Sequence, residues 1–83
     1  MNMDRHTLMA SVVELLCAIA PELEANELNY ARSLRQQVDL DSMDWLNFLV
    51  SLHERFAVSI AESDYARLVS LNDIVDYLEA RLA

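Results

Sequence analysis

Glycine and lysine are both absent from the 83 residues. Without glycine there is no phosphate-cradling loop, no dinucleotide fingerprint and no Gly-x-Ser-x-Gly nucleophile elbow. The single proline, Pro21, leaves one strong interruption of helical geometry, so the chain reads as helical. With no lysine, six Arg face seven Asp and seven Glu, for a formal charge of −8. Such a chain repels nucleic acid phosphates and anionic headgroups and is drawn to basic patches on protein partners. That attraction speeds encounter and weakens with salt. The lone Cys17 excludes an intramolecular disulfide, and its place in an apolar pattern predicts a small buried hydrophobe. No apolar run approaches the ~20 residues of a membrane span, so no membrane insertion is expected. The N-terminus lacks the basic flank and apolar run of a secretory signal, so a cytoplasmic location is expected. His6 and His53 have no matching ligand cluster for a metal, and no nucleophile has a local base. Metal sites and enzymatic activity are therefore not expected.

What remains is a single domain over residues 1–83, with an apolar content of 54% that can fill a core. From Asp4 to Ala20, Leu8, Val12, Leu15 and Ile19 recur at helical spacing, widened by Met9, Val13 and Leu16; Pro21 stops the helix. Residues 21–40 have no sustained period. They predict a long connection anchored by Leu23, Leu28, Leu34 and Val38, with a helical turn within Asn29–Gln37. A short extended link follows from Ala57 to Ile60. A short helix then runs to Leu68, with Tyr65 and Leu68 inward. Ser70 caps a last helix, with Asp73 completing a capping box and Leu71, Ile74, Val75, Leu78 and Leu82 as its buried stripe. The expected fold class is all-α: a small four-helix bundle of three longer helices and a short third one, with a long loop between the first two.

The chain is organised around the stretch from Asp39 to Phe56. Asp41 is the expected N-cap of a helix whose first turn holds Ser42 and the dipole-complementing Asp44. Trp45, Phe48, Leu49, Leu52 and Phe56 follow core-facing spacing, while Met43, Leu46 and Val50 define a second apolar face. So short a chain has no second core for that face, which predicts a docking surface beside an exposed serine. His53 is expected to face solvent, and Trp45 to lie in the core or at its rim.

At Asp41-Ser42-Met43 the chain resembles the acyl carrier proteins, and the likeness covers nearly its full length. The tripeptide is a variant of that family's Asp-Ser-Leu and is followed by Asp44. Phe56 lies fourteen residues after the serine, Ile60 falls in the link, and Ile74 and Tyr77-Leu78 fall in the last helix. The resemblance implies that Ser42 carries a 4′-phosphopantetheine arm, installed from coenzyme A by a phosphopantetheinyl transferase. The arm's thiol would hold acyl groups for acyl-loading and acyl-transferring enzymes with basic docking patches. Around the serine, Asp41, Met43, Asp44, Leu46, Asn47, Val50 and Glu54 are the expected docking residues of a monomer. The interior, partly lined by Trp45 and Phe48, could shelter an acyl chain, with Trp45 narrowing its entrance.

The sequence departs from the commonest family pattern at several positions. Asp39 stands where Gly is usual, Asn47 where Glu is frequent, His53 and Arg55 where acids are, and Ala61 where Pro is frequent. Between Ser42 and Phe56, Asp44 and Glu54 against Arg55 give only −1. A dedicated partner set in a specialised fatty acid, polyketide or related pathway fits that charge better than ordinary fatty acid synthesis. A peptidyl or aminoacyl carrier is the alternative within the class, although Asp41 favours an acyl carrier. An unmodified helical adaptor is the alternative outside it.

Overall fold

Asp4 starts the first helix. In the computed structural model, which describes residues 4–82, its carboxylate accepts the Thr7 amide at 2.8 Å. That hydrogen bond is the main cause holding the Asp4 carboxyl below its ordinary range. Helix α1 (Arg5–Ile19) ends where the Ala20 amide returns to the Leu16 carbonyl, one residue before Pro21. It packs against the two other long helices, Ser42–Phe56 and Leu71–Leu82. The buried face follows the i, i+4 row through Leu8, Val12, Leu16 and Ala20, so Leu15 and Ile19 fall at its edge, half-buried. Cys17 lies one step round the helix from Leu16 and is also half-buried, a correction to its expected burial.

The connection that follows holds a 3-10 turn (Ala25–Glu27) and the one-turn helix α2 (Leu34–Gln37), the latter within the span where a turn was expected. Gln37 ties it together: its amide oxygen accepts Asn29 N–H at 2.7 Å, and its amide nitrogen donates to the Asn29 carbonyl at 2.8 Å. Leu34 and Val38 are buried, while Leu23 and Leu28 lie half-buried against the core. Leu34 N–H donates to the Val69 carbonyl at 2.8 Å, and Asn72 N–H to the Tyr30 carbonyl at 3.0 Å. The loop therefore finds backbone partners at the start of the last helix, which explains how twenty aperiodic residues hold one course.

Helix α3 (Ser42–Phe56) buries Trp45, Phe48, Leu49 and Leu52; Phe56, at its end, is only half-buried. The next residue, Ala57, takes the left-handed conformation with φ 55°. This corrects the extended reading of the link at its first residue. Helix ends favour that geometry, but a chain without glycine must place a Cβ there. Ala57→Gly should therefore stabilise the fold by about 0.5–1 kcal/mol, the steric relief exceeding the entropy of the added glycine; thermal unfolding monitored by circular dichroism checks it. The His53 Nδ1 lies 2.8 Å from the Val58 carbonyl and so spans this turn. His53 is exposed, as expected, but it also fastens the helix end to the link.

A second 3-10 helix (Glu62–Arg67) leads into α4 (Leu71–Leu82). The α4 capping box is reciprocal. Asp73 N–H donates to Ser70 Oγ at 3.1 Å, and Ser70 N–H donates to Asp73 Oδ2 at 3.0 Å. Ser70 is buried, so Ser70→Ala should cost about 1 kcal/mol and lower the melting temperature by about 4–8 °C, read in the same thermal scan. Of the expected α4 stripe, Leu71, Ile74, Val75 and Leu78 are buried, while Leu82, in the last turn, is only half-buried, a correction to its expected burial. Tyr77 is buried as well, its hydroxyl donating to Asp64 at 2.8 Å and its ring lying 3.7 Å from the Arg81 guanidinium carbon. The expected all-α bundle is observed, its three long helices joined by the short Glu62–Arg67 helix before the last of them, with the 3-10 turn and one-turn α2 in the connection in addition.

Candidate functional site

The start of α3 is held by its two buried neighbours. Leu40 and Trp45 both pack into the core, which fixes the chain on either side of Asp41, Ser42 and Met43 and leaves those three exposed. Asp41 is the N-cap: its carboxylate accepts Asp44 N–H at 2.8 Å and its carbonyl accepts Trp45 N–H at 2.9 Å. The cap leaves the amides of Ser42 and Met43 without an acceptor among the described residues. Ser42 is thus the exposed first residue of a fifteen-residue helix, at the positive end of its dipole.

These features fit a phosphodiester on Ser42 Oγ. The hydroxyl is open to another protein, and two free amides and the helix dipole favour an anion there. Among the described residues, no three His, Cys, Asp or Glu side chains gather as a metal site.

The outer face of α3 carries Met43, 68% exposed, and Leu46 and Val50, each 43% exposed. Asn47 and Glu54 are exposed beside them, while Asp44 is half-buried, its backbone amide held by Asp41. The sequence-derived docking residues therefore share one solvent-facing side of the helix, with Asp44 turned partly away. Arg55, at the far end, reaches Glu14 of α1 at 3.8 Å across an exposed gap, a weak tie.

What covers Trp45 is not written in any local pattern. Its ring meets Phe48 on one side, with centroids 5.7 Å apart, and Arg35 of α2 on another, the guanidinium carbon 5.7 Å from the ring centre. Beside it lies a hollow of about 200 Å³ whose lining includes Ser33, Arg35, Tyr65 and Leu68. No spacing rule links Arg35 to Trp45, because the contact depends on the path of the connecting loop.

A sequence model of the family described as "Phosphopantetheine attachment site" matches residues 10–78. The acyl carrier protein of Campylobacter jejuni subsp. doylei is 26% identical over 73 residues, which are 86% of this chain and 95% of that one. The acyl carrier protein of Chlamydia felis is 28% identical over 69 residues, covering 83% and 88% of the two chains. Among solved structures, that of the acyl carrier protein from Enterococcus faecalis matches with a TM-score of 0.75 at 20% identity, over 95% of this chain and 99% of that one. The last likeness is one of fold.

Proposed function

The chain belongs to the phosphopantetheine-attachment family, among the acyl carrier proteins, and on that premise we propose that Ser42 is the residue that bears the arm. The family's cofactor is 4′-phosphopantetheine, and its members are carriers rather than enzymes. Bound, the group supplies a thiol that holds acyl groups as thioesters. One observation carries the assignment to Ser42: its exposed position as the first residue of a capped helix, between buried Leu40 and Trp45.

In the loading step, Ser42 Oγ forms a bond to the phosphorus that carries the pantetheine of coenzyme A. The pyrophosphate link breaks, adenosine 3′,5′-bisphosphate leaves, and the serine proton passes to a base on the transferase. The Ser42 and Met43 amides, which have no other acceptor among the described residues, would be the groups available to hold the new phosphodiester.

The partners are a phosphopantetheinyl transferase and acyl-handling enzymes, which meet the face made by Asp41, Met43, Asp44, Leu46, Asn47, Val50 and Glu54. Because α3 carries a net charge of only −1, from Asp44 and Glu54 against Arg55, its contact leans on apolar burial more than on ion pairs. That balance favours a dedicated partner set in a specialised fatty acid, polyketide or related pathway. Residues 1–83 act as one carrier domain, monomeric in the cytoplasm, where a charge of −8 opposes self-association.

Incubation with coenzyme A and a broad-specificity transferase tests the reading by intact mass. The natural chain should gain one phosphopantetheine, and the Ser42→Ala chain none. A folded chain that gains nothing supports the helical adaptor instead.

A further inference from the structure

Trp45 is the only tryptophan in the chain, and it stands three residues after Ser42. Helical side chains lean toward the N-terminus, so its indole is directed toward the turn that bears the serine. The ring is 9% exposed and is packed on Phe48, which is fully buried. Arg35 lies against it from α2, and that guanidinium forms no ion pair with any other described residue. Its attraction is to the indole itself.

Beneath this pair the bundle is full. Leu34, Phe48, Leu49 and Leu52 are each at most 2% exposed, and close packing leaves an entering chain no path that does not displace them. Two hollows lie beside this core, toward the second 3-10 helix. One hollow of about 200 Å³ runs from Trp45 to Tyr65, and a second of about 260 Å³ begins beyond Tyr65, against Leu49, Val50 and His53. Both fall below the ~300–1,000 Å³ of pockets that enclose drug-sized ligands. Tyr65 contributes to both and so stands between them.

We propose that Trp45, held by Arg35, sets the size of the acyl group this carrier accommodates. It closes the serine end of the bundle and confines the cargo to the hollow between Trp45 and Tyr65, which fits a short acyl group. A long alkyl chain stays outside the core. This rests on the reading that Ser42 bears the arm. Trp45 and Tyr65 supply the aromatic walls, Leu68 an apolar one, and Ser33 and Arg35 a polar rim.

The test loads the full chain from acetyl-, butanoyl-, octanoyl- and dodecanoyl-coenzyme A, confirms each product by mass, and compares it with the form carrying the arm alone. Two readouts are Trp45 fluorescence and melting temperature. In the natural sequence, acetyl and butanoyl should shift the emission and raise the melting temperature, and longer chains should raise it no further. Trp45→Leu should gain at least about 4 °C between butanoyl and dodecanoyl, since each buried methylene adds stability. Arg35→Gln leaves every core side chain in place and should show a smaller gain of the same sign, which keeps the test valid if Trp45→Leu folds poorly. A melting temperature that climbs through dodecanoyl in the natural sequence, or variants that match it at every length, would overturn the proposal while leaving Ser42 as the attachment site. A chain that takes up no arm overturns both.

Discussion

Phe48→Ala should lose about 3–5 kcal/mol of stability, the range for emptying a buried aromatic site. For a chain of 83 residues the whole folding free energy is about 4–12 kcal/mol, so the variant should lose at least about a quarter of its stability. The size of the loss follows from position. Phe48 is fully buried at the middle of α3, and it also supports the indole of Trp45 from within. Removing the ring leaves a void between helices that close only through their side chains, and the neighbouring leucines are already packed. Urea unfolding followed by helical circular dichroism measures it. A loss below about 1 kcal/mol would mean that the bundle collapses readily onto the gap and that its core is not the rigid frame described above.

Leu46→Asp should reduce the transferase's kcat/KM for this chain about 10–100-fold, the range for a central contact worth about 1.4–2.7 kcal/mol. Leu46 stands three residues after Met43 and four before Val50 on the outer face and is 43% exposed. A carboxylate there is solvated in the free protein, so the melting temperature should move by only a few degrees. Against an apolar partner surface, the same carboxylate must shed its water without a counter-charge. Glu54→Gln at the edge should change the rate less than threefold, by altering long-range attraction alone. Equal kcat/KM for Leu46→Asp and the natural chain would remove the docking role from this face.

The parts of this fold written in the sequence are those that depend on neighbours within one helical turn. Asp41 before Ser42, Ser70 with Asp73, and Pro21 after Ala20 each declare a boundary through chemistry complete within four residues. The two apolar faces of α3 were legible for the same reason, since helical spacing separates Phe48 and Leu52 from Leu46 and Val50. What stayed hidden depends on where distant segments meet. Whether Leu15, Ile19 or Cys17 is buried turns on the directions from which α3 and α4 approach α1. The same holds for Tyr77 on Asp64 and for Arg35 on Trp45, pairs separated by thirteen and ten residues. Ala57 was hidden differently. Glycine usually marks a left-handed helix end, and this sequence has none to mark it. At the candidate site, the serine was singled out by its tripeptide only together with its place at the start of an apolar helix, after a long loop, in an acidic chain; the Arg35 guanidinium against the neighbouring indole depends on the course of the loop.

The most direct measurement is to locate the modification within the peptide Gln36–Arg55, released by cleavage after Arg35 and Arg55. That peptide carries two serines and so contains its own control. Ser42 is exposed at the helix start, while Ser51 is half-buried and its hydroxyl is engaged at 2.7 Å with the Phe48 carbonyl. After treatment with coenzyme A and transferase, fragmentation should place the whole phosphopantetheine increment on Ser42 and none on Ser51. An increment on any other residue, or a folded chain with no increment at all, would contradict the account.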